Sequence, residues 1–368
     1  MSIIEKHGHG GDVLTAQNLF GIPQEQFLDF SANINPLGPP ESAMNAIMDN
    51  IHTIVHYPDP VHRSLCTRLA EKLGILEEKL VIGNGAAECM ALVLLALQPK
   101  VVGIVYPSFS EYTTLSRTFG AKIEPCFGPI ENNFKPVMSD LYQLIDKVNL
   151  VFIGQPNNPT GILYTKEELK SLAIHARNTN TYLVIDEAFI DFVSTQEKYT
   201  ILDKLHHFPN VIIIRSMTKF YAIPGLRLGY SICSEEVALL LKRKQVTWSV
   251  NSLALIAGEA CLQESEYEEK TIDFIESERA YLKEKFEKEF SFTVLPGTAN
   301  FLLVRLPVPM TANELQSKMG QQGIMIRSCS MYPGLSEQDF RIAVRARKEN
   351  NKFLDVLKKV VMNWSEVE

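Results

Sequence analysis

Short runs of consecutive apolar residues recur along the chain, separated by segments long enough to form helices. Five of these runs lack the apolar–polar alternation of a half-exposed strand, and they cover residues 80–82, 101–105, 150–153, 182–185 and 211–214. Strands buried on both faces of a parallel sheet have this character. The pattern therefore predicts an α/β fold whose large domain has a mostly parallel sheet flanked by helices. A further strand over 227–232 is expected to be antiparallel at a crossover.

The pattern changes after about residue 264 and predicts a smaller α+β domain. A charge-rich helix is expected over 266–288, followed by strands at 292–295, 301–304, 324–327 and 340–344. Thr311 and Glu314 form a capping box that opens a helix ending near Gly323. Residues 350–364 have the spacing of a final amphipathic helix.

The N-terminal segment is less regular. A short strand from residue 27 is expected to run into a Pro/Gly turn, and residues 41–54 have helical spacing. We expect this segment to pack with the small domain. The chain is accordingly divided into an N-terminal segment, a large domain and a small C-terminal domain, which cover residues 1–55, 56–265 and 266–368.

Composition narrows the class of protein. A chain of 368 residues with 46% hydrophobic residues can bury a sizeable core, and a net charge of −7 without a basic cluster argues against nucleic acid as a partner. No apolar run reaches the length of a membrane span or a signal peptide. The six cysteines have neither C-x-x-C nor zinc spacing. We therefore expect a cytoplasmic protein with reduced thiols and no metal site.

Polar residues follow the end of each predicted parallel strand. The first strand leads into Gly85 and the second into Phe109, while Asn158 and Asp186 follow the third and fourth. Ser216 and Lys219 come directly after the fifth strand, with Arg227 eight residues further on. Ligands bind at the carboxyl ends of strands in open α/β sheets. The sequence therefore predicts a binding site at this edge of the sheet.

The chemistry of these residues indicates a cofactor with both an aldehyde and a phosphate. A lysine beside a buried strand end has a lowered pKa and a nucleophilic amine. Ser216 and Arg227 suit a dianionic phosphate, and a helix beginning at Gly85 and Ala86 offers backbone N–H groups to it. A carboxylate at Asp186 can hold a pyridine nitrogen protonated. These features together describe a site for pyridoxal phosphate.

Each residue also has a structural interpretation. Lys219 can reach solvent, Asp186 can cap a helix, Asn158 can form a turn before Pro159, and Phe109 can belong to the core. The glycine loop at Gly85 can be an ordinary turn.

Four residues outside the strand ends also have both a functional and a structural interpretation. Arg327 and Arg341 lie in or beside apolar strands and need an anion, which is either a substrate group or an internal acid. His9 in a loop is commonly solvated, and Tyr57 after a broken helix is either a packed surface residue or reaches the site of a neighbouring subunit.

Four motifs occur in an order that resembles the fold-type I pyridoxal-phosphate enzymes, over nearly the whole chain. They are Gly83-Asn84-Gly85, Asn157-Asn158-Pro159-Thr160-Gly161, Asp186-Glu187-Ala188-Phe189 and Ser216-Met217-Thr218-Lys219 with Arg227. Within that family the chain resembles the branch of histidinol-phosphate aminotransferases and threonine-phosphate decarboxylases. The decarboxylase pattern is nearer at 29–38, 186–192, 218–227 and 326–329.

The resemblance implies roles in cofactor binding. Lys219 would bond covalently to the cofactor aldehyde, Asp186 would pair with the pyridine nitrogen, and Asn158 would donate to the ring oxygen. Phe109 would stack on the ring. The residues implied to hold the cofactor phosphate are Gly85, Ala86, Ser216 and Arg227, with Tyr57 arriving from the partner of a homodimer.

The resemblance also implies a small phosphorylated amino acid as substrate. Arg341 would take the α-carboxylate, Arg327 and His9 the phosphate, and Asn33 would line the site. The implied reaction is decarboxylation of L-threonine O-3-phosphate to (R)-1-aminopropan-2-yl phosphate and carbon dioxide, in cobalamin biosynthesis. The alternative is transamination of histidinol phosphate or a related compound. Phe189 departs from the tyrosine of typical aminotransferases, which puts strict transamination in doubt.

Two other classes of protein fit less well. A nucleotide-binding module would need a Walker A loop or a dinucleotide fingerprint, and Glu88 stands where the last glycine of such a fingerprint would be. A non-catalytic relative of this fold would be expected to lack the lysine, which is present as Lys219.

Overall fold

A computed structural model of the protein describes residues 4 and 9–365. The helices are α1 (Val13–Phe20), α2 (Glu41–Asn50), α3 (Arg63–Leu73), α4 (Ala86–Leu97), α5 (Ser110–Thr118), α6 (Met138–Ile145), α7 (Lys166–Asn178), α8 (Met217–Phe220), α9 (Glu235–Lys242), α10 (Ser252–Cys261), α11 (Ser265–Glu289), α12 (Ala312–Gly320) and α13 (Arg347–Ser365). The strands are β1 (Leu28–Asp29), β2 (Leu80–Gly83), β3 (Val101–Tyr106), β4 (Lys122–Phe127), β5 (Leu150–Gly154), β6 (Tyr182–Asp186), β7 (Val211–Ser216), β8 (Gly229–Ile232), β9 (Thr293–Val294), β10 (Phe301–Arg305), β11 (Ile324–Met325), β12 (Arg327–Ser328) and β13 (Asp339–Ala343).

A seven-stranded sheet in the order β2-β8-β7-β6-β5-β3-β4 organises the large part of the molecule. Only β8 runs antiparallel to its neighbours, which confirms the predicted crossover strand. Both faces of the sheet are covered. Along β7, Val211 and Ile213 enter one apolar layer, whereas Ile212 and Ile214 enter the other. Burial on both faces explains why these strands are apolar without alternation.

The edge strand β4 was not predicted. It pairs in parallel with β3, but it contains Lys122, Glu124 and Pro125. Proline lacks an N–H donor, and an edge strand is the place in a sheet where proline and charged residues are tolerated. The sequence pattern of a buried strand is therefore absent here.

The small sheet, in the order β12-β13-β10-β9, is antiparallel. The prediction of one strand over 324–327 is wrong, because Ile326 separates β11 from β12 and the two strands belong to different sheets. Strand β11 pairs instead with β1, which belongs to the N-terminal segment. The domain boundaries themselves remain a prediction.

The helices of the C-terminal part follow the predicted signals. Thr311 and Glu314 form both bonds of the capping box of α12, which ends at Gly320. Helix α13 begins at Arg347 and buries Phe353 and Leu357 completely. None of the helices within the described residues is long and apolar enough to span a membrane.

Candidate active site

A cavity of about 400 Å³ opens at the carboxyl edge of the central sheet, against the small sheet and the N-terminal segment. Most of the predicted site residues line it: His9, Asn33, Ala86, Phe109, Asn158, Asp186, Ser216, Lys219, Arg227, Arg327 and Arg341. Gly85 directly precedes Ala86 at the start of α4. Tyr57 is not among the residues that line this cavity.

One end of the cavity has the features of a phosphate cradle. Helix α4 begins at Ala86 without a side-chain cap, and the first N–H groups of a helix have no partner within it. Gly85 has φ of +81°, and a Cβ on it would lie 2.5 Å from Nη2 of Arg227. A larger residue would therefore displace the guanidinium. The hydroxyl of Ser216, 2.8 Å from that of Thr218, also lines the cavity.

Lys219 lies on α8, the single turn that follows β7. The pKa of its amine is lowered to about 8, first by burial and then by the positive charges of Arg227 and Arg341, while Asp186 acts in the opposite direction. The turn is anchored by the N–H of Asn35, which donates to the backbone carbonyl of Lys219 at 3.1 Å. A partly neutral amine on an anchored backbone is suited to attack an aldehyde.

Asp186 ends β6 with a buried carboxylate. Burial raises its pKa to about 6, although the hydroxyl of Tyr112 and the N–H of Ala188 donate to it at 2.6 and 3.0 Å. A carboxylate with this pKa is ionised at neutral pH. It is therefore able to pair with a cationic ring nitrogen.

The contact between Tyr112 and Asp186 was missed by the sequence analysis. Tyr112 stacks on Phe152 with ring centroids 5.0 Å apart, and this packing directs its hydroxyl to the carboxylate. Phe109 lies immediately before α5 and Tyr112 one turn later, so both side chains reach the cavity from the same helix end. The signal in the sequence for a second aromatic residue at the cavity is the spacing of Phe109 and Tyr112.

We expect Tyr112→Phe to lower kcat by about tenfold. A hydrogen bond to a charged group contributes about 1.5 kcal/mol, and without it the carboxylate of Asp186 is less well oriented. Steady-state kinetics measures the effect. The matched control is Tyr142→Phe, which removes a hydroxyl 2.6 Å from Ser171. Equal kcat values for the Tyr112 variant and the wild type would contradict a functional role for the bond.

Two arginines form the wall opposite the cradle. Arg327 on β12 and Arg341 on β13 are directly paired across the antiparallel ladder and are both buried. Opposed residues point to the same face of a sheet, and two like charges there repel each other. An anion that binds beside them relieves this repulsion.

Arg341 also connects this wall to the cofactor side of the cavity. Its Nη1 donates to Oδ1 of Asn158 and its Nη2 to the carbonyl of Ser31, each at 2.6 Å. Because Oδ1 of Asn158 accepts from Arg341, the amide nitrogen of Asn158 is directed elsewhere and is available as a donor. The predicted roles of Asn158 and Arg341 are compatible with this arrangement.

The N-terminal segment supplies His9 and Asn33. Nε2 of His9 lies 3.0 Å from Oε1 of Glu111, and its side chain is 47% exposed. Asn33 is buried, and its Oδ1 accepts no hydrogen bond from the residues that the structure describes. Both residues line the cavity.

Tyr57 is 78% exposed and stacks on Trp248 with ring centroids 4.4 Å apart. Its predicted role requires a second subunit and stays a prediction. Among the described residues, no group of His, Cys, Asp or Glu side chains is arranged to hold a metal ion.

The residues present fit pyridoxal phosphate. An amine with a lowered pKa, an uncapped helix start beside an arginine, a buried carboxylate and the aromatic ring of Phe109 all line one cavity. These are the groups that can bond to an aldehyde, hold a phosphate, pair with a pyridinium and cover a flat ring.

Comparisons with known proteins agree with this geometry. The family model "Aminotransferase class I and II" matches residues 25–359. The chain is 37% identical to a threonine-phosphate decarboxylase of Salmonella typhimurium, over 96% of each chain. The crystal structure of a histidinol-phosphate aminotransferase from Clostridium acetobutylicum is 34% identical, has a TM-score of 0.85 and covers 91% of this chain and 99% of its own. An L-threonine-O-3-phosphate decarboxylase from Porphyromonas gingivalis shares the fold, with a TM-score of 0.79 at 23% identity over 90% of this chain and 99% of its own.

Proposed function

The chain belongs to the class I and II aminotransferase family, and we propose that it is a pyridoxal-phosphate-dependent decarboxylase of L-threonine O-3-phosphate. The products would be (R)-1-aminopropan-2-yl phosphate and carbon dioxide, in the biosynthesis of cobalamin. The observation that carries the proposal is the direct pairing of Arg327 with Arg341 on one wall of the cofactor cavity. This substrate has a carboxylate and a phosphate a few bonds apart, and two adjacent guanidinium groups match them.

Lys219 would hold the cofactor through its aldehyde before the substrate binds, and the cofactor would supply an electron sink for the bond that breaks at Cα of the substrate. Gly85, Ala86, Ser216 and Arg227 would hold its phosphate, with Tyr57 from a partner subunit. Asp186 would keep the ring nitrogen protonated. The amide of Asn158 would donate to the ring oxygen, and Phe109 would cover the ring.

The substrate is oriented by the opposite wall. Arg341 binds the carboxylate, while Arg327 and His9 bind the phosphate and Asn33 lines the site. Binding of the remote phosphate fixes the rotation about Cα, and that rotation selects the bond that breaks. Nζ of Lys219 then delivers a proton to Cα, and an amine with a pKa near 8 is suited to proton transfer at neutral pH.

A second candidate is transamination of histidinol phosphate. It is supported by the 34% identity to the aminotransferase from Clostridium acetobutylicum. The side chain of Phe189 argues against it. This ring packs edge-on against Phe301 at the site where typical aminotransferases have a tyrosine hydroxyl.

The two candidates are separated by one pair of assays on the purified holoenzyme. We expect carbon dioxide release from L-threonine O-3-phosphate without a 2-oxo acid. Steady transfer of an amino group from histidinol phosphate to 2-oxoglutarate, with no carbon dioxide from threonine phosphate, would instead establish the aminotransferase.

We further infer a homodimer. Exposed apolar side chains cluster along α2 and the turn that follows it, and they include Met48, Ile51, Ile54 and Val55. Tyr57, which follows this segment in the chain, is also exposed and stacks on Trp248. An apolar surface of this kind is typical of a protein interface. Light scattering should then give twice the chain mass of 41.5 kDa.

A cytoplasmic location is also part of this proposal. All six cysteines are buried and none of them forms a disulfide, which suits a reducing compartment.

A further inference from the structure

Glu111 is a carboxylate of the cavity to which the proposed mechanism gives no role. Among the described residues that line the cavity, the carboxylates are Asp186 and Glu111. Asp186 belongs to the cofactor side. Glu111 lies in the first turn of α5, and its side chain is only 19% exposed. A second negative charge in a cavity for anionic ligands is unfavourable unless a nearby cation shares it.

His9 is the side chain paired with Glu111. Its Nε2 lies 3.0 Å from Oε1 of Glu111, and its ring is tilted against Phe109 with the centroids 5.8 Å apart. Of the two ring nitrogens, Nε2 is thus engaged by the carboxylate and Nδ1 is left for another partner. A carboxylate bound to one nitrogen of a histidine commonly fixes the orientation of the ring in this way.

The backbone next to His9 is also fixed. Gly10 packs so closely on Ser31 that a Cβ on Gly10 would lie 2.2 Å from the carbonyl oxygen of Ser31. The N–H of Gly11 donates to Oγ of Ser31 at 2.8 Å. The carbonyl of Ser31 accepts from Arg341. The loop that carries His9 is therefore attached to the substrate wall at one end, and Glu111 holds its ring at the other.

We propose that Glu111 is a positioning residue that orients His9 toward the substrate phosphate and so determines the preference for phosphorylated amino acids. This inference rests on the proposed function. The carboxylate accepts a hydrogen bond from Nε2–H of His9, and Nδ1 then faces the substrate phosphate. Charge-assisted bonds of this kind are lost when the substrate has a hydroxyl instead of a phosphate. Orientation before binding lowers the entropic cost of forming them.

The test uses the holoenzyme and the variants Glu111→Gln, His9→Gln and Glu111→Gln/His9→Gln. For Glu111→Gln we expect the KM for L-threonine O-3-phosphate to rise about tenfold, with kcat changed less than twofold. The Ki of L-threonine as a competitive inhibitor should rise by less than about twofold. Glu111→Asp, which keeps the carboxylate, should have a KM between those of Glu111→Gln and the wild type. The control is Glu287→Gln, which breaks an ion pair with Lys283 on α11.

The double variant separates an effect through His9 from a direct one. If Glu111 acts through His9, the double variant has the KM of His9→Gln alone, because the second change removes nothing further. The inference would be overturned if the KM of the double variant rises by the product of the two single increases. An unchanged or lowered KM in Glu111→Gln would also overturn it. If the wild type releases no carbon dioxide from threonine phosphate, the proposed function fails instead, and the two failures are thereby distinguished.

Discussion

Replacing Lys219 with alanine is expected to lower kcat by roughly 10⁴-fold or more. Removal of a covalent catalyst typically costs at least this much, and Lys219 is assigned both the bond to the cofactor and the proton transfer at Cα. The amine lies in the same cavity as Arg227, Arg341 and Asp186, which together with burial set its pKa near 8. No other lysine is among the described residues that line the cavity, so none is placed to replace it.

The readout that isolates Lys219 is spectroscopic. With pyridoxal phosphate, the wild type should gain a visible absorbance that borohydride bleaches. After this reduction the cofactor should remain attached to the wild type when the protein is denatured. Lys219→Ala should still bind the cofactor through the phosphate cradle but release it on denaturation after reduction. Retained turnover, or a cofactor that stays attached in the variant, would refute the assignment. Lys242→Ala, on α9 outside the cavity lining, is a suitable control.

The lowered pKa of Lys219 also predicts a pH dependence. Only the neutral amine attacks an aldehyde, and its fraction rises as the pH increases through the pKa. The rate at which the apoenzyme captures pyridoxal phosphate should therefore rise with a midpoint near pH 8 and not near 10.5, the ordinary value for lysine. Stopped-flow absorbance measures this rate. A midpoint near 10.5 would show that burial and the neighbouring arginines leave the amine unaffected.

The strands that carry the site could be predicted because burial on both faces leaves a clear record in the sequence. Residues such as Ile213 and Ile214 are apolar whichever layer they enter. Strand β4 could not be predicted in this way, because its edge position tolerates Glu124 and Pro125. The residue types at the strand ends likewise indicate the cofactor, because each of these strands is followed by a side chain with a definite chemistry.

The contacts between distant segments could not be predicted from one sequence. The bond of Tyr112 to Asp186 joins residues 74 positions apart, and the pairing of Arg327 with Arg341 depends on a strand register that no local pattern specifies. The pairing of His9 with Glu111 joins the N-terminal loop to α5, where each residue alone resembles an ordinary surface residue. These contacts turn a set of candidate residues into an arranged site.

Replacing Asp186 with asparagine is the second change with a large expected effect, a fall in kcat of roughly 10³-fold. Asparagine preserves the shape and the bond with Tyr112 but removes the negative charge that, in the proposed function, keeps the ring nitrogen protonated. Fixed electrostatic groups in water-excluded sites contribute about this factor to a rate. The carboxylate is buried and ends β6 inside the cavity, so no solvent compensates for the lost charge. Asp146→Asn, at an exposed partner of His175, is the control.

The pH dependence of cofactor affinity distinguishes this electrostatic role from a structural one. The pKa of Asp186 is raised to about 6, so its carboxylate is ionised above that pH and neutral below it. The wild-type apoenzyme should bind pyridoxal phosphate more tightly than Asp186→Asn above pH 6, and this advantage should shrink as the pH falls through 6. Groups that do not interact with Asp186 titrate equally in both proteins and cancel in the ratio of the two affinities. A ratio that stays constant from pH 8 to pH 5 would mean that asparagine harms the packing of the site and that the charge of Asp186 is not its contribution.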